Sequence, residues 1–246
     1  VCTALYSKCE YNIHYWRRGK ASVEMYLQII FSVLAVIYVV AIVFVTRSAY
    51  GFMKKRGFDE SVALYYNRKI VHIATGGVIA LLVPLLFDSW IYPFATGLAL
   101  TLITILPRLR GQSMNFMQTK ENWNDSKFAL MWSLSIAILW ILFNDPFLAI
   151  IPALFMAFGD AVTGLVRNAL YKKRSKKPIG NVFMLIVCAL IGYYFASMAV
   201  KPIPLWGVLA AVAASIVERF EFGPIDDNIL ISVTAMFILI VGGLII

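Results

Sequence analysis

Long apolar runs separated by polar stretches dominate this chain. A helix needs roughly 20 mostly apolar residues to cross a bilayer. Eight runs approach or reach that length: 25–46, 70–87, 90–106, 128–143, 146–166, 181–200, 204–217 and 229–246. The third, fourth and seventh are short or interrupted, so seven crossings is the alternative count. Leu205–Val217 is the weakest run and is also compatible with a re-entrant segment. Pro84, Pro93 and Pro152 fall inside or at the edges of runs, where membrane helices tolerate proline. There is no internal repeat, low-complexity run or soluble domain. The pattern predicts an all-α, polytopic membrane helical bundle.

Composition agrees. Of 246 residues, 61% are hydrophobic and 14% charged, against roughly 25% charged in an ordinary soluble domain. The excess apolar surface must face lipid.

The net charge of +9 is carried by Lys and Arg placed beside the apolar runs. That placement favours topology, anionic headgroups or an anionic substrate over nucleic acid. With eight crossings, the loops 47–69, 108–127, 167–177 and 218–227 share one side and hold 17 of the 22 basic residues. The positive-inside rule makes that side cytoplasmic and puts both termini outside. Lys8, Arg17, Arg18 and Lys20 of the N-terminal segment run against it. Every loop long enough to build a site is then cytoplasmic. Cys2 and Cys9 are close enough in sequence to pair in an oxidising compartment, Cys188 reads as inert packing, and no Cys/His spacing suggests zinc.

Four clusters could carry chemistry. In the first, Arg68, Lys69 and His72 are three or four residues apart on one helical face at the entry to the second run. They suit phosphate; Arg68 and Lys69 also read as topological anchors, and His72 as an interhelical hydrogen bonder. The second is Gly159-Asp160-Ala161 with Thr163, Gly164 and Arg167. Asp160 is an acidic residue inside an apolar run, which costs about 2.5–3.5 kcal/mol on insertion scales. A carboxylate with small neighbours suits a magnesium–nucleotide site; the alternative is a structural pair of Asp160 with Arg167 or His72. The third is the basic loop ending Lys176-Lys177-Pro178-Ile179-Gly180-Asn181, which serves phosphate binding or topology. The fourth holds Glu218, Glu221, Asp226, Asp227 and Asn228. Topology does not explain carboxylates on this side; they offer oxygen ligands or a base, or cap the last helix.

No Walker-type loop, GxSxG, HExxH or dinucleotide fingerprint is present. Transport and a structural subunit are the competing classes. A transporter would more typically carry polar residues at the midplane of several helices, often with repeats.

Arg68-Lys69-Ile70-Val71-His72 resembles the R-K-x-x-H segment of the dolichol kinase and phytol kinase family. Gly159-Asp160-Ala161 resembles its G-D-A segment, and Lys176 to Asn181 its K-x-x-x-G-N/S element. Glu218 with Ile225-Asp226-Asp227-Asn228 resembles its late E…D-D/N-N element. The family's T-x-E-G element after the lysine is absent. The resemblance covers residues 67–246, as a membrane-embedded kinase-like catalytic domain. It leaves 1–24 as an extracytoplasmic segment and 25–66 as a first helix and cytoplasmic loop.

The resemblance implies transfer of the γ-phosphoryl group of CTP, with Mg²⁺, to the hydroxyl of a long isoprenoid alcohol (dolichol, polyprenol or phytol-like). The related cytidylyltransferases, which make CDP-lipids, supply the alternative. On this reading Asp160 helps hold Mg²⁺, and Lys177, with Lys176 or Arg167, binds the phosphates. Arg68, Lys69 and His72 contact the transferred group or the nucleotide. Asp226 and Asp227 bind a second Mg²⁺ or accept the alcohol proton. Gly159, Thr163, Gly164, Gly180, Asn181, Glu218 and Asn228 complete the nucleotide and substrate surface. The oligomeric state is left open, a homodimer included.

Overall fold

The computed structural model describes residues 2–111, 114, 116, 117, 123–171, 176–220 and 222–245, with side chains described from residue 24 onward in those ranges. The proposed Cys2–Cys9 pairing and Glu221 lie outside the described side chains.

Every regular element among the described residues is a helix, apart from one isolated bridge between Phe222 and Ile225. We number the helices α1 (Cys2–Lys55), α2 (Glu60–Leu86), α3 (Ile91–Leu109), α4 (Asn124–Phe143), α5 (Pro146–Tyr171), α6 (Pro178–Ser197), α7 (Pro204–Val217) and α8 (Asp227–Ile245). Seven are long and apolar enough to cross a membrane. The 14 residues of α7 rise only about 21 Å, short of a bilayer core of roughly 30 Å. The chain is an integral membrane protein with an all-α polytopic bundle.

The apolar window of α5 is 78% buried, whereas that of α1 is 11% buried. Helix α5 is therefore the central post and α1 a peripheral wall. Proline starts α5, α6 and α7 in the first helical turn, where its missing N–H is no loss. Asp145 caps α5 by accepting from the Leu148 N–H at 3.0 Å, and it also accepts from the Val200 N–H, tying the α6–α7 turn to the start of α5. Helices α6 and α7 touch backbone to backbone, because a Cβ on Gly192 or Gly207 would overlap the other's carbonyl.

Two helices are interrupted by π-helical turns, His72–Gly77 in α2 and Phe155–Gly159 in α5, and these pack against each other. Carbonyls in and beside them take side-chain donors. Tyr38 Oη donates to Ala74 O at 2.8 Å, Trp132 Nε1 to Gly76 O at 3.0 Å, and Thr163 Oγ1 to Gly159 O at 2.9 Å. Such turns often mark functional sites. Here Lys69 lies just before one and Asp160 just after the other.

Candidate active site

Lys69 on α2 reaches across to Asp160 on α5, and its Nζ forms a buried ion pair with Oδ2. This corrects the structural pairings expected for Asp160, since neither Arg167 nor His72 is its partner. Lys69 shares its helical face with Tyr65, four residues earlier, and its ammonium lies 5.0 Å from the Tyr65 ring centre. Tyr65 in turn sits against Gly164, where a Cβ would overlap its hydroxyl. The small neighbours of Asp160 do sit in close contact: Gly159 admits Cys188 and Met184 of α6, as Gly164 admits Tyr65, and Gly180 likewise admits Arg167 and Thr163.

Arg167, two turns after Asp160, is fully engaged. Its Nη1 and Nη2 donate to Glu218 Oε1 and Oε2 at 2.8 and 2.9 Å. Nη2 also donates to Asn181 Oδ1 at 2.8 Å, and Nε to Lys177 O at 2.9 Å. Asn181 Nδ2 donates to Glu218 Oε2 at 3.0 Å and to Ser215 O. Lys176 Nζ lies 3.0 Å from Asp227 Oδ2, 2.9 Å from Glu218 O and 3.4 Å from Glu218 Oε1.

Asp160, Glu218 and Asp227 thus converge, with one oxygen of each within 4.8 Å of the others, and all three residues are buried. Lys69, Arg167 and Lys176 match them charge for charge, which lets so much charge sit out of water. Oδ1 of Asp160 and Oδ1 of Asn228 are buried with no hydrogen-bond partner among the described residues. Both are hard oxygen donors, of the kind that suits a hard cation rather than a soft one.

Three expected site residues stand elsewhere. Asp226 lies apart from the convergent carboxylates, caps α8 by accepting from the Ile229 N–H at 3.2 Å, and pairs with Lys127 at 3.7 Å. Burial, and then the neighbouring Asp227, raise its carboxyl above the usual carboxylate range, despite the cap bond and Lys127. Lys177 is exposed and packs its ammonium 3.9 Å from the Tyr171 ring centre, so its neighbour Lys176 is the lysine of the carboxylate network. His72 stacks on Phe128, ring centres 3.9 Å apart, and lines a cleft together with Arg68. Its Nδ1 is buried with no hydrogen-bond partner among the described residues.

No protein-family model, curated protein or solved structure matches the chain.

The residues that sequence reasoning passed over are Tyr65, Lys127 and Ser215, and Asn67 was given no role. The four-residue step from Tyr65 to Lys69 was a usable signal. The others were not marked by spacing. Asn67 donates to Phe116 O at 2.8 Å, and Ser215 gives its carbonyl to Asn181.

Proposed function

We propose that the chain is a lipid kinase that moves the γ-phosphoryl group of CTP to the hydroxyl of a long-chain isoprenoid alcohol at the cytoplasmic membrane face. One observation carries the reading. Four segments far apart in sequence resemble the dolichol and phytol kinase motifs, and each contributes a side chain to the same buried region: Lys69, Asp160, Lys176, and Glu218 with Asp227. Phosphoryl transfer is mostly positioning and charge neutralisation, which is what such an array offers.

Asp160, Glu218 and Asp227 are the residues that would hold Mg²⁺, which when bound neutralises phosphate charge. Lys69 and Lys176 offer ammonium groups to phosphate oxygens. Arg167 and Asn181 hold Glu218 in position. In the transfer, the alcohol oxygen bonds to the γ-phosphorus while the bond to the bridging oxygen of the departing CDP breaks. We assign the hydroxyl proton to His72, whose Nδ1 is buried with no hydrogen-bond partner among the described residues.

The test is incubation of the purified chain with γ-labelled CTP, Mg²⁺ and a polyprenol. Labelled polyprenyl monophosphate is expected. Formation of CDP-lipid from a lipid phosphate, with no monophosphate made, would replace the kinase by a cytidylyltransferase. Absence of both products overturns the reading.

A further inference from the structure

A cleft of about 270 Å³ lies between α1, α2, α3 and α4. Its walls are apolar, built from residues such as Val43, Val71, Ile79, Leu100, Ile103 and Ala129. Polar groups on its lining include Arg68, His72 and Asp125, the last held by Arg108 Nη2 at 2.7 Å. Arg68 and His72 flank Lys69, which is bonded to Asp160, so this polar part of the cleft adjoins the carboxylate cluster. One wall is α1, the least buried of the long helices, which places the cleft beside the bilayer.

We infer that this cleft seats the hydroxyl-proximal stretch of a single-chain isoprenoid alcohol, with the hydroxyl at His72 and Arg68 and the rest of the chain in lipid. The inference rests on the kinase reading for the chemistry at the hydroxyl. The volume decides how much is held. At about 30 Å³ per small group, 270 Å³ accommodates on the order of ten carbon-sized groups. That suits about two five-carbon units of one chain. Only these first units would then be held by the protein, with the rest of the chain in lipid.

The test is photolabelling of the full chain in nanodiscs, with an isoprenoid alcohol carrying a diazirine in its first units. Labelled peptides are expected from the cleft-lining parts of α1 to α4. Ala129→Phe, which fills the cleft, should cut the labelling about tenfold, the order one pocket group is worth. Val43→Phe fills it from the opposite wall and serves if Ala129→Phe does not fold. Leu190→Phe on the exposed face of α6 should leave the labelling unchanged. Labelling spread over α6 to α8, or unaffected by both cleft-filling variants, overturns the inference. Cleft labelling without phosphate transfer keeps the cleft and removes the kinase; transfer with labelling outside the cleft does the reverse.

Discussion

Arg167 and Glu218 meet fork to fork, two nitrogens on two oxygens at 2.8 and 2.9 Å, with both side chains almost wholly out of solvent. Removing one partner of such a pair leaves the other charge buried, a cost of about 3–5 kcal/mol. Arg167→Met should therefore lower the melting temperature in detergent sharply. Arg167→Lys should recover only part of it, because an ammonium cannot make the planar double contact. Equal melting of Arg167→Met and the parent would contradict the positioning role.

Asp160→Asn should abolish phosphate transfer, by about a thousand-fold or more if several kcal/mol of charge stabilisation leave with the carboxylate. It should also destabilise the fold, since Lys69 keeps its charge and loses its partner. The pair Lys69→Met with Asp160→Asn should restore thermal stability without restoring activity. Measuring both in one preparation separates folding from chemistry.

Lys176 and Lys177 are adjacent and chemically alike, yet only Lys176 bonds to Asp227 and Glu218, while Lys177 lies on Tyr171. Lys176→Met should cost about a hundred-fold in kcat/KM, the order of one charge-stabilising donor. Lys177→Met should stay within a few-fold. The reverse ranking would reassign the phosphate contact to Lys177.

Asp226 has its carboxyl pKa raised, first by burial and then by Asp227. A carboxyl raised on folding binds its proton more tightly in the native state. Its contribution to stability is therefore greatest at acid pH and is lost as pH climbs from the ordinary carboxylate range through the raised value. Asp226→Asn keeps a capping oxygen for Ile229 and should flatten that slope. Melting curves of both proteins across mildly acid pH would show it, and identical slopes would exclude Asp226 as the source.

Lys201 and Arg219 bracket α7. If this short helix crosses, cysteines at these two positions should label from opposite sides of sealed vesicles, in a chain with Cys2 and Cys9 replaced by serine. Labelling from one side would make α7 re-entrant.

The eight helices were legible because lipid contact writes itself as uninterrupted apolar sequence. Their polar ends were not. Helix α2 starts at Glu60, not at residue 70, because Asn67 and Lys69 are buried with partners in neighbouring segments. Helix α4 starts at Asn124, not at residue 128, with Asp125 buried against Arg108. Hydropathy counts such residues as loop. The charged residues that converge here stand out in the sequence, since charge near an apolar run is conspicuous. Their pairing was hidden, because Lys69 and Asp160 lie 91 positions apart. Nor does sequence separate Lys176 from Lys177, where the Tyr171 ring decides.

The two π-helical turns have a consequence for what this chain tolerates. A π turn takes up one residue more than regular α winding needs, so dropping one position inside it lets the helix close as regular α with its flanks nearly in register, whereas dropping one in a regular segment rotates everything beyond by about 100°. Lys69 and Asp160 each border such a turn. Their encounter is therefore set by a tally of positions as much as by side-chain type. The loss of a single residue between His72 and Gly77, or between Phe155 and Gly159, would therefore be absorbed, while the same loss in the regular parts of α2 or α5 would misalign the cluster.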